Sequence, residues 1–99
     1  MIPFSLLFHN LRSFNLQTEL LEACEWDESK LDETIKKVTS FLDNMELPDV
    51  PCEFSYFKDK VLIPGFRKEK IEENQIKIII KYIEHDAKFV SHILGLPEN

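Results

Sequence analysis

The sequence predicts a mainly α-helical fold, a small bundle of three or four helices with a long C-terminal helix. Two patterns carry that prediction. Leu31, Ile35, Val38, Leu42 and Met45 recur at spacings of four, three, four and three, one stripe of an amphipathic helix. Arg67 to Leu94 contains neither Gly nor Pro, and Gly95-Leu96-Pro97 follows as a helix stop. A third observation sets the scale: 99 residues with 43% hydrophobic and 30% charged side chains suit one thin-cored domain spanning 1–99.

The elements follow in order. Phe4 to Phe14 is expected to form a helical turn or two beneath the first full helix. That helix begins near Asn15, carries Leu16, Leu20, Leu21 and Cys24 inward, and stops around Trp26. The next runs from Asp27 to Met45. Asp27 is placed to cap its free amides, and Trp26 and Leu31 occupy the two positions of a hydrophobic staple. Glu28 and Asp32 suit the positive end of its dipole, Asp32/Lys36 and Glu33/Lys37 are i,i+4 pairs, and Pro48 ends it.

Residues 53–63 admit two readings. Their aromatic and β-branched content fits a short β-hairpin turning at Lys58-Asp59, which is the preferred reading. Val50, Phe54, Phe57 and Val61 also fit helical spacing, and neither Lys nor Asp readily takes the positive φ of a two-residue hairpin turn. In the last helix Ile76, Ile79, Ile80, Ile83, Ala87, Val90 and Leu94 form one stripe. Ile71, Ile78, Tyr82, Phe89 and Ile93 form a second beside it. The apolar sector is then roughly 200° wide, twice the ~100° of a surface helix. Such a helix is either central to its own domain or half buried against a second copy, with Ile71, Ile78, Tyr82, Phe89 and Ile93 as the dimer surface.

Charge is unevenly placed. The net charge is -6, yet residues 1–57 hold eleven acidic against four basic side chains and residues 58–99 seven against eight. The acidity is densest at Glu19, Glu22, Glu25, Asp27, Glu28, Asp32 and Glu33, broken only by Lys30. That face repels phosphate backbones and attracts basic proteins. Two cysteines, Cys24 and Cys52, are too few for a disulfide framework and read as reduced, buried and cytoplasmic. The apolar start, Met1 to Phe8, lacks a basic n-region and is broken by Asn10 and Arg12, so neither a signal peptide nor a membrane span is expected.

Catalytic patterns are missing. The sequence has no H-x-x-x-H, C-x-x-C, G-x-S-x-G or glycine-rich loop. On one helix His85 and His92 would stand about 10.5 Å apart, too far to share a metal ion. No metal and no cofactor is expected, and the protein is not read as an enzyme. Lys58, Lys60, Arg67, Lys68 and Lys70 form a basic cluster diluted by Asp59 and Glu69. Asp86-Ala87-Lys88-Phe89-Val90-Ser91-His92-Ile93-Leu94-Gly95-Leu96-Pro97-Glu98-Asn99 resembles the first half of a helix-turn-helix, a short helix and then Gly-Leu-Pro at the turn. In that family the following recognition helix reads the bases, so the resemblance implies no base-reading residue here. Gly95-Leu96-Pro97 read as an ordinary helix terminator is preferred.

These features lead to an expected function: a non-catalytic module binding another, basic protein, in the manner of an inhibitor, immunity protein, antitoxin or adaptor. The contact residues expected are Glu22, Glu25, Trp26, Asp27, Glu28, Asp32 and Glu33, with the charges steering and the indole anchoring. Homodimerisation through the second stripe of the last helix is expected alongside. Two alternatives differ in class: a nucleic-acid-associated regulator using the basic cluster at 58–70, and a small-ligand-binding helical dimer with Tyr82, His85, His92 and Arg67 lining a pocket.

Overall fold

Ser13 starts the first helix. In the computed structural model, which describes residues 8–45 and 53–86, its hydroxyl accepts from the Leu16 amide at 3.2 Å and donates to the Asn10 carbonyl at 2.8 Å. It thereby joins a 3₁₀ turn, His9–Arg12, to helix α1, Phe14–Ala23. Phe8, just before that turn, and Leu11 within it are buried, as expected of a segment packed beneath α1.

Helix α1 stops three residues before Trp26. Glu25 has φ 57°, and two bonds close the end: Glu25 N–H to Glu22 O at 3.1 Å and Trp26 N–H to Leu21 O at 2.8 Å. This is a Schellman cap built without glycine. Trp26 is also left-handed, at φ 64°. Helix α2, Glu28–Asn44, then starts at Asp27, whose Oδ1 accepts from the amides of Ser29 and Lys30 at 3.0 and 3.3 Å. Leu31, Val38 and Leu42 are buried and Ile35 and Met45 partly so, as the spacing requires. The staple is not made as expected. Trp26 remains 63% exposed, outside the core that Leu31 joins, because its left-handed backbone belongs to the cap of α1. Pro48 lies outside the described residues.

The preferred hairpin gives way to helix. Backbone of helical form runs through α3, Phe54–Phe57, a π-helical stretch Lys58–Leu62, and α4, Ile63–Lys68. Two causes favour this. Lys58-Asp59 supplies no tight turn, and a lone two-stranded hairpin has little to hold it. The π stretch also aligns the apolar residues. In a pure α-helix Leu62 would sit ~140° from Phe57, whereas the wider turn lets both be buried, with Phe66 continuing the face. Pro64, which lacks a backbone N–H, falls just after this loosened stretch.

The expected long helix is interrupted. Helix α4 ends in a second Schellman cap, with Lys70 at φ 64°, Lys70 N–H to Arg67 O at 2.9 Å and Ile71 N–H to Phe66 O at 3.1 Å. Phe66 and Ile71, the two residues whose contact accompanies such a cap, are both buried. Burial of that pair outweighs the uninterrupted helical pattern of the sequence. Helix α5 is therefore Glu73–Glu84, and its Ile76, Ile79, Ile80 and Ile83 enter a core shared with α1, α2 and α4. Gly65 allows α4 to approach α2, since a Cβ there would lie 2.2 Å from Phe41 Cε2. Phe41 meets Phe66 edge-on at 5.0 Å. Ala87 to Asn99, including the segment resembling a helix-turn-helix and the Gly95 stop, lies outside the described residues.

Candidate functional site

A groove of about 270 Å³ lies between α1 and the start of α2. It is lined by Phe14, Gln17, Thr18 and Leu21 from one stripe of α1 and by Glu28, Leu31 and Asp32 from α2. Helical periodicity explains the set: 14, 17, 18 and 21 share a face, as do 28, 31 and 32. Leu31 is buried and Leu21 partly so, giving an apolar floor. Phe14 stands at the rim, 83% exposed, the most exposed of the large hydrophobic residues described. Gln17 is tied down by a bond from Nε2 to the Leu11 carbonyl at 3.4 Å.

The seven expected contact residues are all exposed but do not act alike. Glu28 and Asp32 enter the groove, and Glu22, Glu25 and Trp26 belong to the end of α1 and its cap. None of Glu22, Glu25, Glu28 and Asp32 forms an ion pair among the described residues. Asp27 is committed to capping α2. Glu33 pairs with Lys37 at 3.2 Å and lines a different concavity with Lys30, Lys37, Lys70 and Glu72. Phe14 is the contact candidate missing from the sequence reading. Its signal was present: at ~100° per residue it lies about 200° from Leu16, off the buried stripe.

The expected dimer surface is partly consumed by the chain itself. Ile71 is buried in its own core, which removes it as a dimer contact, because the cap of α4 holds it against Phe66. Ile78 and Tyr82 are half-buried, and Phe89 and Ile93 lie outside the described residues. The Tyr82 hydroxyl donates to Glu19, whose other carboxylate oxygen takes a bond from Lys81 Nζ at 2.5 Å. Together these hold α5 on α1. The bonds from Lys81 and then Tyr82 lower the Glu19 pKa, and the bond to Glu19 raises that of Tyr82.

The basic cluster is dispersed. Lys58 and Arg67 line a groove of about 340 Å³ beside α5, Lys68 lines one with Phe41 and Gly65, and Lys70 lines the one with Glu33. Arg67 is moreover neutralised by Glu73, through bonds of 2.6 and 3.3 Å to the two carboxylate oxygens. Their mutual hydrogen bonding raises the Arg67 pKa and lowers that of Glu73. Neither Tyr82 nor His85 lines any of the grooves described, so neither shares one with Arg67, and His92 lies outside the described residues. The grooves described, at about 180 to 340 Å³, lie mostly below the ~300–1,000 Å³ of small-molecule sites.

A buried polar chain crosses the core. Thr34 Oγ1 donates to Gln75 Oε1 at 2.7 Å, and Gln75 Nε2 donates to Cys24 Sγ at 2.7 Å. Cys24 is a free thiol, and burial, then the charge of Glu72, pushes its pKa up, so it is protonated and a poor nucleophile at neutral pH. Cys52 lies outside the described residues. Among the described residues no group of three His, Cys, Asp or Glu is placed to hold a metal ion, and no helix is long and apolar enough to cross a membrane. No protein-family model, curated protein or solved structure matches the chain.

Proposed function

We propose that the protein is a non-catalytic binding module, of the inhibitor, immunity, antitoxin or adaptor kind, that holds a basic protein against the acidic face of α1 and α2. One juxtaposition carries this reading. Phe14, 83% exposed, shares a groove with Glu28 and Asp32, and Trp26, 63% exposed, follows Glu25 in the turn between the two helices; Glu22, Glu25, Glu28 and Asp32 form no ion pair among the described residues. Unpaired charge steers a partner of opposite sign, and exposed aromatics supply the area that becomes a binding hot spot. The buried free thiol of Cys24 suits a reducing, cytoplasmic setting.

Affinity capture tests the reading, with the wild-type protein, Trp26→Ala, and a variant combining Glu22→Gln, Glu25→Gln, Glu28→Gln and Asp32→Asn as baits. The expected partner is basic, binds more weakly as salt rises, and loses about tenfold or more in affinity to Trp26→Ala at unchanged Tm. If Trp26→Ala lowers Tm and leaves affinity intact, Trp26 is not an interface residue. A partner indifferent to both salt and the neutralised variant refutes the reading.

A further inference from the structure

We infer that the groove between α1 and α2 receives a basic amphipathic helix of the partner, with one apolar side chain of that helix seated on Leu21 and Leu31 beside Phe14. This rests on the binding-module reading and names where and how the partner engages.

Charge selects the occupant. The lining of this groove holds two carboxylates, Glu28 and Asp32, and no basic residue. The other three described grooves each contain lysine as well as acid. Neither carboxylate has a basic partner among the described residues. A lysine- or arginine-bearing segment therefore meets two carboxylates that have the dipole of α2 beside them but no ion-pair partner among the described residues.

Shape selects its conformation. The α1 side of the groove runs from Phe14 to Leu21, about 10.5 Å or two helical turns. That length matches the i, i+3/i+4, i+7 anchors of a helix laid into a groove between helices. Gln17 and Thr18 in the middle of this wall are uncharged and admit an apolar stripe. Phe14 explains itself in the same way, since it contributes little to the core of the free protein and supplies a wall to the occupied groove.

The test titrates isotopically labelled protein with three synthetic peptides, followed by amide NMR shifts: a lysine-rich amphipathic helix with one aromatic anchor, its glutamate counterpart, and a scrambled basic peptide. The expected result is shifts at Gln17, Thr18, Leu21 and Leu31 with the first peptide alone, weakened by salt. Phe14→Ala should reduce that affinity about tenfold with Tm unchanged, and Asp32→Lys should reduce it further. Equal binding of the scrambled peptide, equal binding by Phe14→Ala, or no shifts in the groove overturns the inference. Shifts confined to the Glu25–Asp27 turn would overturn the groove assignment and leave the acidic-face reading standing. The Trp26→Ala capture experiment decides that reading separately.

Discussion

The chain of Thr34, Gln75 and Cys24 makes a quantitative prediction because its three members are 5%, 4% and 3% exposed and its links are both 2.7 Å. Thr34→Val removes the hydroxyl that donates to Gln75 Oε1 and leaves a buried amide oxygen unpaired, at about 2 kcal/mol within the usual 1–3. Gln75→Leu costs less. It loses the bonds at both ends, but the Thr34 hydroxyl can turn to the carbonyl of Lys30 one helical turn back. Sulfur is only a weak acceptor, and Leu adds apolar burial, so about 1 kcal/mol is expected. The double variant removes donor and acceptor together and should cost no more than Gln75→Leu alone, so the two single effects must not add. Urea unfolding of the four proteins with a common m-value measures this directly, and each kcal/mol should appear as a Tm shift of about 4–8 °C. If the single costs fall below about 0.5 kcal/mol and add in the double variant, the side chains are not coupled and the buried chain plays no part in holding α1, α2 and α5 together.

Four further outcomes are expected. Glu25→Gly relieves a left-handed residue in the cap of α1 and should stabilise by about 0.5–1 kcal/mol after the entropy cost of glycine, seen as a higher urea midpoint; a lower midpoint would mean that the glutamate side chain supports the turn. Gly65→Ala gains helix propensity of about 1 kcal/mol but drives a methyl into the Phe41 ring, and should destabilise by a net ~1 kcal/mol in thermal melts, with Phe41→Leu removing the penalty. Glu19, with its folded pKa lowered, contributes stability that is fully present above the ordinary carboxylate range and lost as pH falls through the folded value, and Glu73 adds to the same acid limb. Glu19→Gln should flatten that limb in a Tm-against-pH series. Tyr82, with its pKa raised, contributes below the ordinary tyrosine value and loses this as pH rises through the folded one, so Tyr82→Phe should flatten the alkaline limb.

Local patterns alone determined the helical class, the extent and cap of α2 at Asp27, and the exposure of the acidic residues. Each follows from chemistry acting within one or two turns: apolar period, a carboxylate beside free amides, the solvation of charge. Tertiary structure decided the rest. The 53–63 segment became helix because Phe57 and Leu62 gain burial through a π turn that no propensity scale registers. The last helix broke at Lys70 because Ile71 packs beside Phe66, residues whose contact is invisible until the chain turns. Gln75 and Thr34 carry no signal in the apolar period of their helices, and only the crossing of α2 and α5 makes them partners 41 residues apart in the chain. The candidate site divides in the same way. Its charge was legible in the run from Glu22 to Glu33, whereas the groove, and Phe14 at its rim, exist only where the faces of α1 and α2 meet. A binding surface depends on which side chains the core leaves uncovered, and that is settled by packing between helices rather than by the pattern along any one of them.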